Sequence, residues 1–167
     1  MGRFSNIEVF CEYASPIGGL LLLGDGKVLR GLYMQDGPRP VEVQPAWKRS
    51  NEALVGVRAQ LDEYFAGART EFSVPLRQEG TTFELGVWQA LREIPYGETR
   101  SYGEIAAAIG QPGEARAVGT ANGRNPVSVI VPCHRVIGAD GSLTGFGGGL
   151  ERKRALLELE SGVFQLA

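Results

Sequence analysis

The apolar residues of this chain change their spacing near residue 80, and that change limits the chain to two dissimilar parts joined in sequence. Before it, short runs of β type are bounded by turn residues. Asn6 to Tyr13 mixes Ile7, Val9 and Phe10 with Glu8 and Glu12, and Ser15-Pro16-Ile17-Gly18-Gly19 is a turn signal. Leu20–Leu23 and Val28–Met34 flank Gly24-Asp25-Gly26-Lys27, the pattern of a tight hairpin. Pro38–Pro45 reads as a polar surface loop, Ala46–Phe65 as a helix ended by Gly67, and Glu71–Leu76 as a further strand. The polar stretch Arg77–Gly80 closes this part, so the expected division is an α/β domain over residues 1–78 and a helical domain over 79–167.

The second part is a series of helices with their own start signals. Thr81 with Glu84 and Ser101 with Glu104 have capping-box spacing, in which a hydroxyl and a carboxylate reciprocally satisfy free backbone N–H groups. The first opens a helix with Phe83, Val87 and Leu91 on one face, stopped by Pro95. The second opens Tyr102–Ile109, capped by Gly110. A Gln111-Pro112-Gly113 turn leads to a helix over Glu114–Asn122, a helix–turn–helix arrangement. Val127–Val131 is a short apolar run read as a buried strand, Gly145–Gly149 is a glycine loop, and Glu151–Glu160 is the last helix.

Composition removes several classes. The 167 residues fit one ordinary domain or two small ones, and 43% apolar content is enough for a folded core. The net charge of -2 gives no global basic field, so contact with nucleic acid must come from a local patch. The longest leucine run, Leu20–Leu23, is far too short to span a bilayer, and Met1–Glu12 lacks an apolar signal core. A cytoplasmic location is expected. Cys11, Cys133 and His134 are the only soft ligands, one short of the usual structural zinc set, so no metal is expected. Counting does not exclude a Cys11–Cys133 disulfide, although the expected compartment disfavours it. The glycine loop is not a phosphate-binding loop and lacks a βαβ setting, so no nucleotide cofactor is implied.

Three features could carry chemistry. The second helix of the helix–turn–helix presents Ala115, Ala117, Gly119 and Ala121, a surface too bare to read base edges but able to press close to a backbone or groove. Residues 115–139 hold Arg116, Arg124 and Arg135 and no carboxylate, a local basic patch, with Arg116 in a first helical turn where a cation opposes the dipole. Pro132-Cys133-His134-Arg135 sets a thiol beside the single histidine, which could take its proton directly or through water. Glu160 shares a helical face with Leu156 and Leu157 and points toward the core. Glu158 pairs outward with Arg154. A carboxylate on an apolar face needs a partner, and His134 is the available one; the alternative is a frayed helix end with Glu160 in water.

Pro132-Cys133-His134-Arg135-Val136-Ile137, preceded by Asn125-Pro126-Val127 and followed by the glycine loop, resembles the active-site signature of the O6-alkylguanine-DNA alkyltransferases. Ser15-Pro16-Ile17-Gly18, Leu61–Phe65 with Thr70-Glu71-Phe72, Ile94-Pro95-Tyr96-Gly97 and Ser101–Ala106 extend the resemblance over nearly the whole chain. It implies a ribonuclease-H-like N-terminal α/β domain and a mostly helical C-terminal domain with a helix–turn–helix. It further implies a monomer, able to bind DNA cooperatively, that takes double-stranded DNA carrying O6-alkylguanine, or O4-alkylthymine, as its partner. The damaged base is flipped through the minor groove, and the alkyl group passes once and irreversibly to a cysteine.

By that resemblance the cysteine is Cys133, His134 is a water-mediated base and Glu160 orients the imidazole. Tyr102 protonates the leaving base at N3, and Asn125 braces the active-site turn. Arg116 fills the stack, the Val136 carbonyl accepts from the guanine amine, and the Gly147 N–H reaches the O6 side. Ala117, Gly119 and Asn122 on the second helix, with Phe146 and Gly148 in the loop, complete the expected DNA and substrate contacts. Phe146 and Gly147 stand where some relatives carry hydroxyls. The N-terminal zinc set of some relatives is reduced to Cys11. Two other classes share parts of this pattern: a helix–turn–helix regulator without chemistry, and a cysteine hydrolase that would turn over repeatedly.

Overall fold

In the computed structural model, residues 4–146 and 148–162 are described. The N-terminal part is a four-stranded sheet in the order β3-β2-β1-β4: β1 (Val9–Ser15), β2 (Gly18–Gly24) and β3 (Leu29–Met34) are antiparallel neighbours, and β4 (Lys48–Arg49) runs parallel to β1. Both expected turns are present. Ser15 Oγ donates to the Gly18 carbonyl at 2.6 Å, and Asp25 Oδ1 accepts from the Lys27 and Val28 N–H groups at 2.9 Å each.

Leu20, Leu21, Leu22 and Leu23 of β2 are all buried, so both sheet faces must be covered. Leu20 and Leu22 face the main core with α1 (Val55–Phe65), through Val57, Leu61, Tyr64 and Phe65. Leu21 and Leu23 face the other way, against Phe10, Val41 and Trp47. The polar 38–45 segment is therefore a cover as well as a loop. Gln35 holds it by donating to the Val41 carbonyl and accepting from its N–H, both at 2.7 Å.

Three expected elements differ. The helix expected from Ala46 begins only at Val55, because Lys48–Arg49 pairs with β1 and Glu52–Leu54 forms a 3₁₀ turn. Glu71–Leu76 forms no strand; one bridge forms, Leu29 to Leu76, where Leu29 N–H donates to Pro75 and Arg77 N–H donates back. Val127–Val131 is not a strand either. Val127 bridges Leu32 of β3, and the chain then turns tightly, with Val129 at φ 70°. Both bridges lie on the free edge of β3, which would otherwise expose unpaired backbone groups, and the second joins the C-terminal part to the sheet.

The C-terminal part consists of α2 (Thr82–Arg92), α3 (Tyr102–Ala108), α4 (Ala115–Gly123) and α5 (Leu150–Ser161), with a two-stranded parallel ladder between β5 (Arg100–Ser101) and β6 (Val136–Ile137). Both capping boxes form. Gly110 and Gly113, at φ 75° and 93°, make the turn between α3 and α4. Trp88 of α2 donates its indole N–H to the Ala121 carbonyl at 2.9 Å, seating α4 on α2.

Thr81 accepts from Glu84 N–H at 3.1 Å, and Glu84 accepts from Thr81 N–H at 2.9 Å. Thr81→Ala removes half of that exchange and should cost about 1 kcal/mol, whereas Thr81→Ser should retain most of it. Urea unfolding of the two variants measures the difference.

Candidate active site

Cys133 and His134 lie in a 3₁₀ turn, Cys133–Arg135, immediately before β6. Asn125 shapes the approach. Its Nδ2 donates to the Val131 carbonyl at 2.8 Å, and its Oδ1 accepts from Val127 N–H at 3.0 Å and from Gln78 Nε2 at 2.9 Å. These bonds supply what a strand would have supplied, which is why the apolar Val127–Val131 run folds as turns. Asn122, expected to face DNA, is 2% exposed, and its amide donates to the Cys133 carbonyl at 3.3 Å.

Cys133 lines a cavity of about 840 Å³ between the two parts, with Asn125, Ser128, Met34, Phe146 and Gly148 also on its wall. Burial pushes the thiol above its usual value, partly offset by the Asn125 amide and the charge of Lys153. A resting thiol here is protonated and needs a base to become a nucleophile.

His134 is fully buried, and its Nε2 is 2.7 Å from Glu160 Oε2. Its other nitrogen, Nδ1, is buried without a hydrogen-bond partner in the protein. Glu160 also accepts from Arg135 Nε at 2.7 Å, from Arg135 Nη2 at 3.0 Å, and from the Tyr64 phenol at 2.6 Å. Burial alone would raise this carboxyl; the neighbouring imidazole charge and the Arg135 guanidinium outweigh it and bring it down to about 2. Glu160 is thus a partnered core anion and not a frayed end. The buried face of α5 is Lys153, Leu156, Leu159 and Glu160, with Leu157 only half-buried, and among the described residues no ion pair joins Arg154 to Glu158.

Arg135 corrects the expected basic patch. It is 6% exposed, bound to Glu160 and to the Ile94 carbonyl at 2.6 Å, and is not a surface cation. Arg124 is exposed but lies 3.6 Å from Glu84 of α2, a carboxylate outside the stretch that holds the arginines. Arg116 is exposed on α4, away from the buried group. Ala117 and Gly119 are half-buried, and a Cβ on Gly119 would stand 3.7 Å from the Tyr102 ring.

Tyr102 OH donates to the Thr144 carbonyl and accepts from the Thr144 hydroxyl, both at 3.2 Å. Lys153, fully buried, donates to the same carbonyl at 2.8 Å. Val136 is buried in β6. A Cβ on Gly148 would collide with Met34 Sδ, so a side chain there would require Met34 to shift. Arg152 binds the Gly148, Ile17 and Asp36 carbonyls at 3.2, 3.0 and 2.9 Å, tying the glycine loop to the N-terminal sheet. Gly147 lies outside the described residues. The sequence reading missed Tyr64, Arg135, Arg152 and Lys153 as parts of the site. Only Lys153 left a signal, being one helical turn before Leu156 and two before Glu160 on the face already identified.

Residues 82–162 match the family model described as 6-O-methylguanine DNA methyltransferase, DNA binding domain, and residues 10–78 match its ribonuclease-like domain. A Mycobacterium leprae protein named methylated-DNA–protein-cysteine methyltransferase is 59% identical over 147 residues, 87% of this chain and 88% of its own length. The chain belongs to this methyltransferase family. A Methanosarcina acetivorans relative of the same name is 52% identical over 90% of this chain and 97% of its own. The crystal structure of Mycobacterium tuberculosis OGT in complex with DNA superposes with a TM-score of 0.87 at 56% identity, covering 92% of this chain and 93% of that one. The two-domain architecture, a ribonuclease-like α/β domain followed by a helical DNA-binding domain, is that of the family.

The lowered Glu160 carboxyl fixes the sign of an acid effect. A carboxylate with a depressed folded value contributes stability above its unfolded value near 4.5, and that contribution is lost as pH falls toward about 2. Urea midpoints measured between pH 6 and pH 2.5 should fall more steeply for the native chain than for Glu160→Gln, although the variant starts lower at neutral pH.

Proposed function

We propose that this chain repairs DNA by transferring an alkyl group, mainly methyl, from O6-alkylguanine to Cys133, once per molecule. The carrying observation is a buried thiol on the wall of a cavity, adjacent in sequence to a histidine whose far nitrogen is anchored on a buried carboxylate, in a chain of this family. Glu160 holds Nε2 of His134, so Nδ1 is the nitrogen left to take the thiol proton, through a bridging water. The thiolate sulfur attacks the sp³ carbon on O6. The S–C bond forms as the C–O6 bond breaks, the electron pair passes into the guanine ring, and Tyr102 donates a proton at N3. The imidazolium then gives up its proton through solvent, which reprotonates the Tyr102 phenolate, so that no net proton is gained or lost. The product thioether has no good leaving group, which makes the reaction a single event.

Reaching O6 inside a duplex requires the base to leave the stack. The bare face of α4 suits close approach in the minor groove, with Arg116 as the side chain that enters the stack. In this reading the Val136 carbonyl and the Gly147 N–H contact the flipped base, and Ala117, Gly119, Phe146 and Gly148 border it. Asn122 and Asn125 act from below, by fixing the turn. O4-alkylthymine fits the same chemistry. The functional division falls at residues 78 and 79, with DNA contact in the second part. The protein acts as a cytoplasmic monomer, associated with the nucleoid if bacterial. No cofactor enters any step. Among the described residues, no helix is long and apolar enough to cross a membrane.

Intact-protein mass spectrometry after incubation with an O6-methylguanine duplex should show a gain of one CH₂ per chain, mapped to Cys133. Cys133→Ser should lose transfer and keep DNA binding; transfer at the native rate, or on Cys11, would overturn the assignment. Affinity for undamaged duplex should fall steeply with salt, as phosphate contacts do, and should drop in Arg116→Ala.

A second pair of variants tests the carboxylate. Glu160→Gln should slow single-turnover transfer about 10²-fold, the scale of a general base that has lost its support. Glu158→Gln, at a half-buried position off the Lys153, Leu156 and Glu160 face, should leave the rate unchanged. Equal, small effects from the two would show that Glu160 has no part in the reaction.

A further inference from the structure

We infer that Tyr64, in the N-terminal domain, is a positioning residue for the transfer: its phenol donates to the same Glu160 oxygen that holds His134, and so sets how strongly that carboxylate stabilises an imidazolium. The inference rests on the Cys133–His134–Glu160 reading above.

The geometry is specific. Tyr64 belongs to α1, is fully buried, and lies 96 residues from Glu160 in sequence. Its hydroxyl is 2.6 Å from Oε2, while His134 Nε2 is 2.7 Å from that atom. Packing places the ring independently of the bond, since it sits edge-on to Phe65 and Tyr96 at 5.1 and 6.3 Å and tilted against Phe72 at 5.2 Å. Hydrophobic contact alone would be served by phenylalanine; the hydroxyl has a separate task. Burial, with the charge of Glu160, keeps the phenol protonated well above the ordinary tyrosine value. It therefore stays protonated, and a donor, across the neutral range.

The groups around this carboxylate are His134 and Arg135 from the 3₁₀ turn, Tyr64 from α1, and Tyr96 from the segment after α2, whose phenol is also raised by burial and by Glu160. Arg135 spans both carboxylate oxygens and fixes the plane of the group. Tyr64 acts on one oxygen only. A donor at Oε2 draws charge from that atom and shares its lone pairs with the imidazole. Without the phenol, Oε2 would keep only the Arg135 Nη2 donor beside the imidazole, would favour the imidazolium further and would hold the proton that the base must exchange. Tyr64 thus keeps His134 able to accept a proton and release it, and it makes the N-terminal domain part of the reaction site.

The test is the pH dependence of Cys133 alkylation by iodoacetamide in DNA-free protein, with the adduct mapped by peptide mass spectrometry. Tyr64→Phe should move the acid limb to higher pH by about one unit, the equivalent of one hydrogen bond to a charged group. 3-Fluorotyrosine incorporated at position 64 is a stronger donor of nearly the same size and should move it downward; it carries the test if Tyr64→Phe does not fold. In a Glu160→Gln background neither change should move the limb. An unmoved limb in the Tyr64 variants, while Glu160→Gln alone displaces it, overturns the inference and leaves the relay standing. Equal displacement with and without Glu160 means that Tyr64 acts through packing and also overturns it. A Glu160→Gln profile identical to the native one overturns the relay and the inference together.

Discussion

A single buried carboxylate organises this molecule. Glu160 accepts hydrogen bonds from His134, from two nitrogens of Arg135 and from Tyr64, so α1, the 3₁₀ turn and α5 converge on two oxygen atoms. An anion in the core is costly unless it is paired and its lone pairs are used. Removing any one donor leaves the others bound to a poorly compensated charge, so the donors act as a set. The proposed proton acceptor is built on that set, and the contact between the domains is built on it as well.

The nucleophile depends on a second, local device. Cys133 stands in a turn because the Asn125 side chain occupies the backbone groups that a strand would have paired, and because Leu32 on the edge of β3 holds the chain at Pro126 and Ser128. The glycine loop opposite is held by Arg152 and by the close approach of Gly148 to Gly37 and Met34. Both walls of the cavity beside the thiol are therefore fastened to the N-terminal sheet. The sheet contributes to the site without supplying a residue that the proposed chemistry consumes.

Much of this was legible in the chain because its signals are local. Capping boxes, glycine turns and the hairpin follow from residues three or four apart, and the position of Glu160 followed from helical phase, although Leu159 and not Leu157 completes its face. What was misread depended on distant partners. Arg135 looks like a surface cation until a carboxylate 25 residues later is brought beneath it. Val127–Val131 has the composition of a strand, and only the Asn125 bonds and the docking on Leu32 turn it. Helical period places Tyr64 in the core but says nothing of what its hydroxyl meets. Lys48–Arg49 has no apolar pattern at all, and it pairs because β1 leaves an edge beside it.

The charges around the thiol account for a resting state that does not spend itself. Burial raises the Cys133 thiol, and Lys153, whose charge lowers it, is itself weakened by burial and bound to the Thr144 carbonyl. A stronger or freer cation at that position would hold a permanent thiolate, which any passing oxidant or electrophile could consume. For a protein that proceeds through one thioether and cannot regenerate, such a loss would be final. In the proposed reaction the thiolate is instead conditional on a proton moving to His134. In that reading Glu160, ionised and oriented when the chain folds, supports the transfer before the substrate arrives. The substrate then has to supply only its own placement in the cavity, within reach of a sulfur whose base is already in position.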